Sequence, residues 1–304
     1  MLTAFASDPA AQSPSLLRAD PPFRSGIEIT SITATVTDAE GHLVTSLPRE
    51  AFEVFEDGER QTVTQFTRER VPIGLGLLLD VSDSMFGKRI QDARAASDRF
   101  LFELLDPADE FFVLAFNHRP KTLTGWTRVQ SEVQRALAGI QPSGGTALYD
   151  AIVAAMPIVE RRSRERGALV VISDGADTAS DVTIRDTRTA ILRSDAFVYA
   201  IAIDSPERQA INTRVNIEAL NEITSESGGR TEVVRSSADL DTATARIAEE
   251  LNNQYVIGYT SSHTADGQYH SIRVRVAAPS VPEGEQYRVR ARRGYVATPI
   301  RRRP

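Results

Sequence analysis

Residues Gly74 to Leu79 read Gly-Leu-Gly-Leu-Leu-Leu, an uncharged run that ends abruptly at Asp80. A run this short and wholly apolar has no wet face, so it belongs in a strand covered on both sides. Such a strand needs helices above and below it, and that demand points the chain to an α/β architecture. Two hydroxyls follow at alternate positions, Ser82 and Ser84. A carboxylate and hydroxyls at the C-terminal tip of a strand stand where open α/β sheets place their ligand sites. Oxygen donors of this kind suit a hard divalent cation.

The pattern downstream agrees with a doubly wound sheet. Lys88 to Leu105 places Ile90, Ala93, Phe100, Leu101 and Leu104 on one helical stripe, and Glu110 to Asn117 is a second near-continuous apolar strand. Helices are expected over Val129–Ile140, Thr146–Arg162, Val182–Arg193, Val215–Ser225 and Ala238–Asn253, with Pro157 a possible kink in the second of these. Strands are expected at Ala168–Ser173, Ala196–Ile203 and Thr231–Val234. Strands alternating with helices predict parallel βαβ units in an open, mostly parallel, Rossmann-like sheet over residues 70–254.

The flanks have a different period. Ile32, Ala34 and Val36 alternate with threonines, Phe52 to Phe55 is a strand, and Glu56-Asp57-Gly58-Glu59 is a hairpin signal with a third strand after it, Gln61 to Phe66. After residue 254 the alternation returns in Tyr255, Ile257 and Tyr259, in Ile272, Val274 and Val276, and in Tyr287, Val289 and Ala291. One apolar and one wet face is the mark of antiparallel sheet. Neither flank can bury a core alone, so residues 26–69 and 255–298 are expected to form one small, discontinuous antiparallel β-sandwich into which the α/β domain is inserted.

Composition narrows the function classes. The 304 residues carry a formal net charge of −6, which gives no reason to expect nucleic acid as the main partner. The absence of cysteine excludes disulfides, thiolate metal sites and thiol catalysis. No apolar stretch approaches the roughly 18 residues of a membrane span. Met1 to Ser7 lacks the basic start and apolar core of a signal peptide, although Ala4-Phe5-Ala6 resembles a cleavage site. Residues 1–25, rich in Pro, Ala and Ser, read as disordered, and 299–304 as a basic tail. Nine arginines against three acids leave +6 on residues 255–304 and −12 on the rest. Arg273, Arg275, Arg288, Arg290 and Arg292 are expected to form a basic face on one sheet, solvated or docked on an acidic surface such as the chain's own acidic domain.

Three strand-end loops carry the candidate chemistry: Asp80, Ser82 and Ser84 in the first, Thr146 after Ser143-Gly144-Gly145 in the second, and Asp174 in Ser173-Asp174-Gly175 in the third. Any one of these residues is more often a helix N-cap than a ligand; five in strand-end context favour a site. Asp80-x-Ser82-x-Ser84, Thr146 in Gly-Gly-Thr-Ala-Leu-Tyr-Asp and Asp174 in Ile-Ser-Asp-Gly resemble the metal-ion-dependent adhesion site, or MIDAS, of the von Willebrand factor A domain. The flanking Phe-Glu-Val-Phe-Glu-Asp-Gly and Arg-Val-Arg-Ala-Arg-Arg-Gly-Tyr resemble the von Willebrand factor A-related proteins of acidobacteria, which implies an exported bacterial protein.

The resemblance implies that Ser82, Ser84 and Thr146 bind the ion directly, with Asp80 and Asp174 acting through bound water. Neutral hydroxyls leave such an ion electron-poor, ready to take an Asp or Glu of a protein partner. Mg²⁺ suits this set, Mn²⁺ can replace it, and Ca²⁺ would favour more carboxylates. Gly87 and Lys88 stand where integrin relatives place acidic residues for a second ion, so one metal is expected. Asp83 is expected to point away from the ion, His118 to sit in an exposed loop near the metal face, and Asp177 to serve a turn or cap.

Catalysis has less support. No Gly-x-Ser-x-Gly elbow occurs, no histidine is reliably placed beside Ser82 or Ser173, and Gly74-x-Gly76 lies inside its strand, where it cannot be a dinucleotide fingerprint. The first expectation is therefore a non-enzymatic binding module. Its rivals are a metal-assisted hydrolase on the same sheet, since an ion with an open position can activate water, and a scaffold that needs no metal.

Overall fold

The structure, a computed structural model, describes residues 29–204, 216–261, 263, 266–277 and 286–297. The expected disordered segment 1–25, the tail 299–304 and the first residue of the helix expected at Val215 lie outside the described residues. The first flank supplies β1 (Ile29–Thr37), β2 (Phe52–Glu56), β3 (Glu59–Gln61) and β4 (Val63–Thr67). Asp57 and Gly58, at φ of 50° and 88°, form the two-residue turn between β2 and β3, the left-handed geometry that an Asp-Gly hairpin requires. The single strand expected over Gln61–Phe66 is instead broken at Thr62, where the chain passes from one sheet to another.

The chain then runs through β5 (Ile73–Asp80), α1 (Lys88–Arg99), β6 (Glu110–Phe116), β7 (Pro120–Thr127), α2 (Gln130–Ala138), α3 (Leu148–Val159), β8 (Arg166–Ser173), α4 (Ile184–Leu192), β9 (Phe197–Ile203), α5 (Ile217–Ser227), β10 (Thr231–Val234) and α6 (Ser237–Asn252). These strands form a six-stranded sheet in the order β10-β9-β8-β5-β6-β7, parallel except for β7. Every residue of β5 is buried, as its uncharged sequence demands. Leu75, Leu77 and Leu79 face a core shared with α1, α2 and α6, while Leu78 faces a second core shared with α3, α4 and α5. The fold is thus α/β and doubly wound, with β5 near its centre and its tip beside that of β8.

Two local departures occur. The helix over Lys88–Leu105 changes to a single π-helical turn at Phe100–Leu104 before Asp106-Pro107. Strand β7 was not expected at all. It is an edge strand with register shifts opposite Phe111 to Leu114, so its alternation is interrupted and only one side is paired.

The last flank adds β11 (Tyr255–Thr260), β12 (Tyr269–Val276), β13 (Arg288–Ala291) and β14 (Gly294–Val296). Two four-stranded sheets result, β13-β1-β11-β4 and β14-β12-β2-β3, each drawing strands from both ends of the chain. Ile32, Val36, Phe52, Val54, Tyr255, Ile257 and Val274 meet in one core between them. The arginines expected on one sheet are divided: Arg273 and Arg275 lie on β12 over the Phe55 ring, whereas Arg288 and Arg290 lie on β13 in the other sheet. Strand β13 faces the α/β domain, and there Arg290 meets Glu250 of α6 at 2.5 Å and Arg292 donates to Leu192 O at 3.2 Å.

Candidate functional site

Asp80 closes β5 and is fully buried. Its Oδ1 accepts from Ser82 N at 2.9 Å, and its Oδ2 accepts from Ser173 Oγ, at the end of β8, at 2.5 Å. Ser82 opens a short 3₁₀ turn over Asp83–Met85, and the Ser82 and Ser84 hydroxyl oxygens lie 2.9 Å apart. The loop before α3 is bonded directly to this turn. Ser143 N donates to Val81 O, and Asp83 N donates to Gly144 O, both at 2.9 Å. Thr146 is buried on that loop and bridges to the next one: its carbonyl accepts from Thr178 N at 2.8 Å and Ala179 N at 3.0 Å, and its N–H donates to Thr178 Oγ1 at 2.9 Å. Asp174 follows Ser173, buried, with Oδ1 accepting from Ala176 N at 3.2 Å.

The electrostatics are unbalanced. Burial pushes the Asp80 carboxyl up to about 7; hydrogen bonds from Ser173 and Ser82 oppose that shift, and the charge of Asp174 reinforces it. The remaining oxygen of Asp174, Oδ2, is buried without any hydrogen-bond partner. A buried, unpaired carboxylate oxygen beside a second carboxyl costs free energy as it stands. The donor set on these linked loops contains carboxylates and hydroxyls, the chemistry of a hard divalent cation and not of a thiophilic one. The residues therefore fit such an ion.

The neighbours fall into place around these loops. Asp83 is exposed. Lys88 Nζ donates to Asp92 Oδ2 at 2.6 Å and to Ser237 Oγ at 2.5 Å, which fastens α1 to α6. His118 packs against the second loop, since a Cβ on Gly144 would lie 3.1 Å from its Nδ1. Asp177 Oδ1 accepts from Tyr149 N at 3.3 Å and Ser180 Oγ at 2.6 Å, the cap role expected of it. Sequence reasoning gave no role to three residues. Ser173 bonds Asp80 only because β5 and β8 are adjacent strands. Asn117 O accepts from Ala147 N at 2.6 Å and anchors the second loop. Phe86, 72% exposed just past the Ser84 turn, offers a large aromatic face on the rim; its place beside the three-residue polar motif was the available signal.

Residues 75–176 match the von Willebrand factor type A domain family. The inter-alpha-trypsin inhibitor heavy chain H2 of Mesocricetus auratus is 29% identical over 126 residues, 38% of this chain and 13% of that protein. The chain thus spans about an eighth of the length of that curated relative. An uncharacterized protein of Synechocystis sp. is 22% identical over 220 residues, 70% of this chain and 50% of that one. Among solved structures, the von Willebrand factor type A protein from Catenulispora acidiphila superposes with a TM-score of 0.52 at 12% identity, covering 90% of this chain and 75% of that chain. No helix among the described residues is long and apolar enough to cross a membrane.

Proposed function

The chain carries a von Willebrand factor type A domain, generally an adhesion and protein-interaction module, and from that premise we propose that it binds a protein through a MIDAS-type divalent-cation site at the tips of β5 and β8. Asp80, Ser82, Ser84, Thr146 and Asp174 would hold Mg²⁺, or Mn²⁺ in its place. When bound, the ion supplies a coordination position that an Asp or Glu of the partner can fill, a contact of charge with charge that the uncharged hydroxyls alone cannot make. The protein's own part is to hold the five groups on loops tied to one another by backbone hydrogen bonds, and to offer Phe86 beside them as an apolar anchor.

The single observation that carries this reading is the orphaned Oδ2 of Asp174, buried next to the fully buried Asp80. The activity is binding and not turnover, and an adhesive role of this kind places the chain outside the cytoplasm. Cell fractionation that finds it in the cytoplasm would remove that last part alone. Calorimetric titration with Mg²⁺ tests the site itself. Wild-type protein is expected to take up one ion per chain, while Ser82→Ala and Asp174→Asn lose uptake and keep a native circular dichroism spectrum. Capture of a protein partner should then disappear in EDTA and in Ser82→Ala. A partner retained unchanged in EDTA would rule out the metal-bridged reading.

A further inference from the structure

Far along the chain from the strand-tip loops, two histidines come together on the β-sandwich. His263 follows β11 and His270 lies on β12, and their rings stack with centroids 4.0 Å apart. Asp57, in the β2–β3 turn, faces both: its Oδ2 lies 2.8 Å from His270 Nδ1 and 3.9 Å from His263 Nε2. One donor atom from each of these three residues lies within 4.8 Å of the other two.

The outward nitrogen of each ring is also committed. His263 Nδ1 is 3.2 Å from Glu56 Oε2, and His270 Nε2 is 3.3 Å from Asp266 Oδ1. Metal-bound histidines are oriented in this way, with a carboxylate on the nitrogen that does not bind the metal. The orienting groups are themselves held. Glu56 is fully buried and accepts from Tyr259 OH at 2.8 Å, Tyr295 OH at 2.7 Å and Ser261 Oγ at 2.8 Å. Asp57 Oδ1 accepts from Ser271 N at 2.7 Å and Ser271 Oγ at 3.1 Å, which leaves Oδ2 to the histidines. Asp57 is also the one non-glycine residue with positive φ among the described residues.

An Asp57–His270 ion pair at a turn would account for part of this geometry. It does not account for His263, which stacks on the same imidazole and turns its Nε2 toward the same carboxylate oxygen. Both rings turn their inner nitrogen to the one Asp57 Oδ2 while Glu56 and Asp266 hold the outer nitrogens, so a single ion at the shared oxygen would engage both rings at once.

We propose that Asp57, His263 and His270 form a binding site for one divalent transition-metal ion of the Zn²⁺ type, with Glu56 and Asp266 as positioning carboxylates. Two imidazoles and a carboxylate select Zn²⁺ and its neighbours over Mg²⁺ and Ca²⁺, so this site and the all-oxygen set at the strand tips take different ions. Three protein donors leave a further position open to water or a ligand. The ion ties the β2–β3 hairpin to β12 and to His263, three positions past β11, and so clamps segments from the two ends of the chain, 213 positions apart between Asp57 and His270.

The test is calorimetric titration of the untagged 304-residue chain with Zn²⁺ in saturating Mg²⁺, with circular dichroism of every variant. Wild type is expected to bind one Zn²⁺ per chain, and Ser82→Ala to bind it equally well, which separates this site from the strand tips. His263→Ala should lose at least about tenfold in affinity, and Asp266→Asn should weaken binding by roughly 10–100-fold while keeping the stoichiometry. Replacement by Co²⁺ should give a visible absorption band that is absent in His270→Asn. If His270→Asn does not fold, the more exposed His263 carries the test alone. Folded wild-type protein that takes up no Zn²⁺, or uptake unchanged in His263→Ala, overturns the proposal.

Discussion

Gly76 shows how much a single position in β5 is constrained. A Cβ built there would lie 2.4 Å from Phe112 and 2.5 Å from Leu169, because the neighbouring strands send their side chains across the glycine. Gly76→Ala is therefore expected to destabilise the protein by about 1–3 kcal/mol through overpacking. Urea denaturation followed by circular dichroism measures that loss, and an unchanged midpoint would contradict the packing argument. The same residue scale explains the strand-tip carboxylates. Asp80 and Asp174 were visible in the sequence as polar residues that end apolar runs. The proton-binding tendency of Asp80 was not visible, since it arises from burial and from Asp174, 94 positions away.

Elements are set by their ends as much as by their faces. Helix α4 begins with a capping box: Thr183 Oγ1 accepts from Asp186 N at 3.3 Å, and Asp186 Oδ2 accepts from Thr183 N at 2.9 Å. Thr183→Ala should cost about 1 kcal/mol and speed amide exchange in the first turn of α4; exchange that rises equally throughout the α/β domain would show that the cap is not a local device. Helix α5 ends at Gly228, whose φ of 88° gives a left-handed cap. A Cβ at that glycine would also lie 2.5 Å from the Ala291 carbonyl carbon, so the helix end and β13 meet backbone to backbone. Long helices and buried strands were legible because their periods repeat over many residues. Strand β7 and the break at Thr62 were not, because an interrupted edge and a change of sheet leave no period to read.

At the scale of the molecule, the α/β domain and the β-sandwich are joined by a buried polar network. Glu250 of α6 accepts from Tyr199 OH at 2.8 Å, Thr35 Oγ1 at 3.1 Å and Arg290 at 2.5 Å, and it also pairs with Arg230 at 3.3 Å. Burial works against the Arg290 charge, and Glu250 more than offsets it, holding the guanidinium above its usual range. Arg166 donates to Val71 O at 3.1 Å and Leu251 O at 3.0 Å, which binds the segment leading into the sheet to the segment leaving it. Removing Glu250 strands partners on three elements, so Glu250→Ala is expected to cost about 3–5 kcal/mol. Arg290→Met should cost less, because Arg230 still reaches the carboxylate. Calorimetric unfolding distinguishes them, and a Glu250→Ala protein as stable as wild type would show that the network does not support the junction.

The sequence by itself determined the α/β class, the buried central strand and five oxygen-bearing residues in three loops, although the loop of Thr146 joins α2 to α3 and is not the strand end expected. Each of these is written within a few consecutive positions, through uncharged runs, helical stripes and the polar residue that stops them. Only the tertiary structure decided that Ser173 clamps Asp80, that Asp174 is left with an unpaired oxygen, that the arginines divide between two sheets, and that Asp57 meets His263 and His270. Those relations join residues from distant parts of the chain, and their distances depend on strand order and register, which no local pattern encodes.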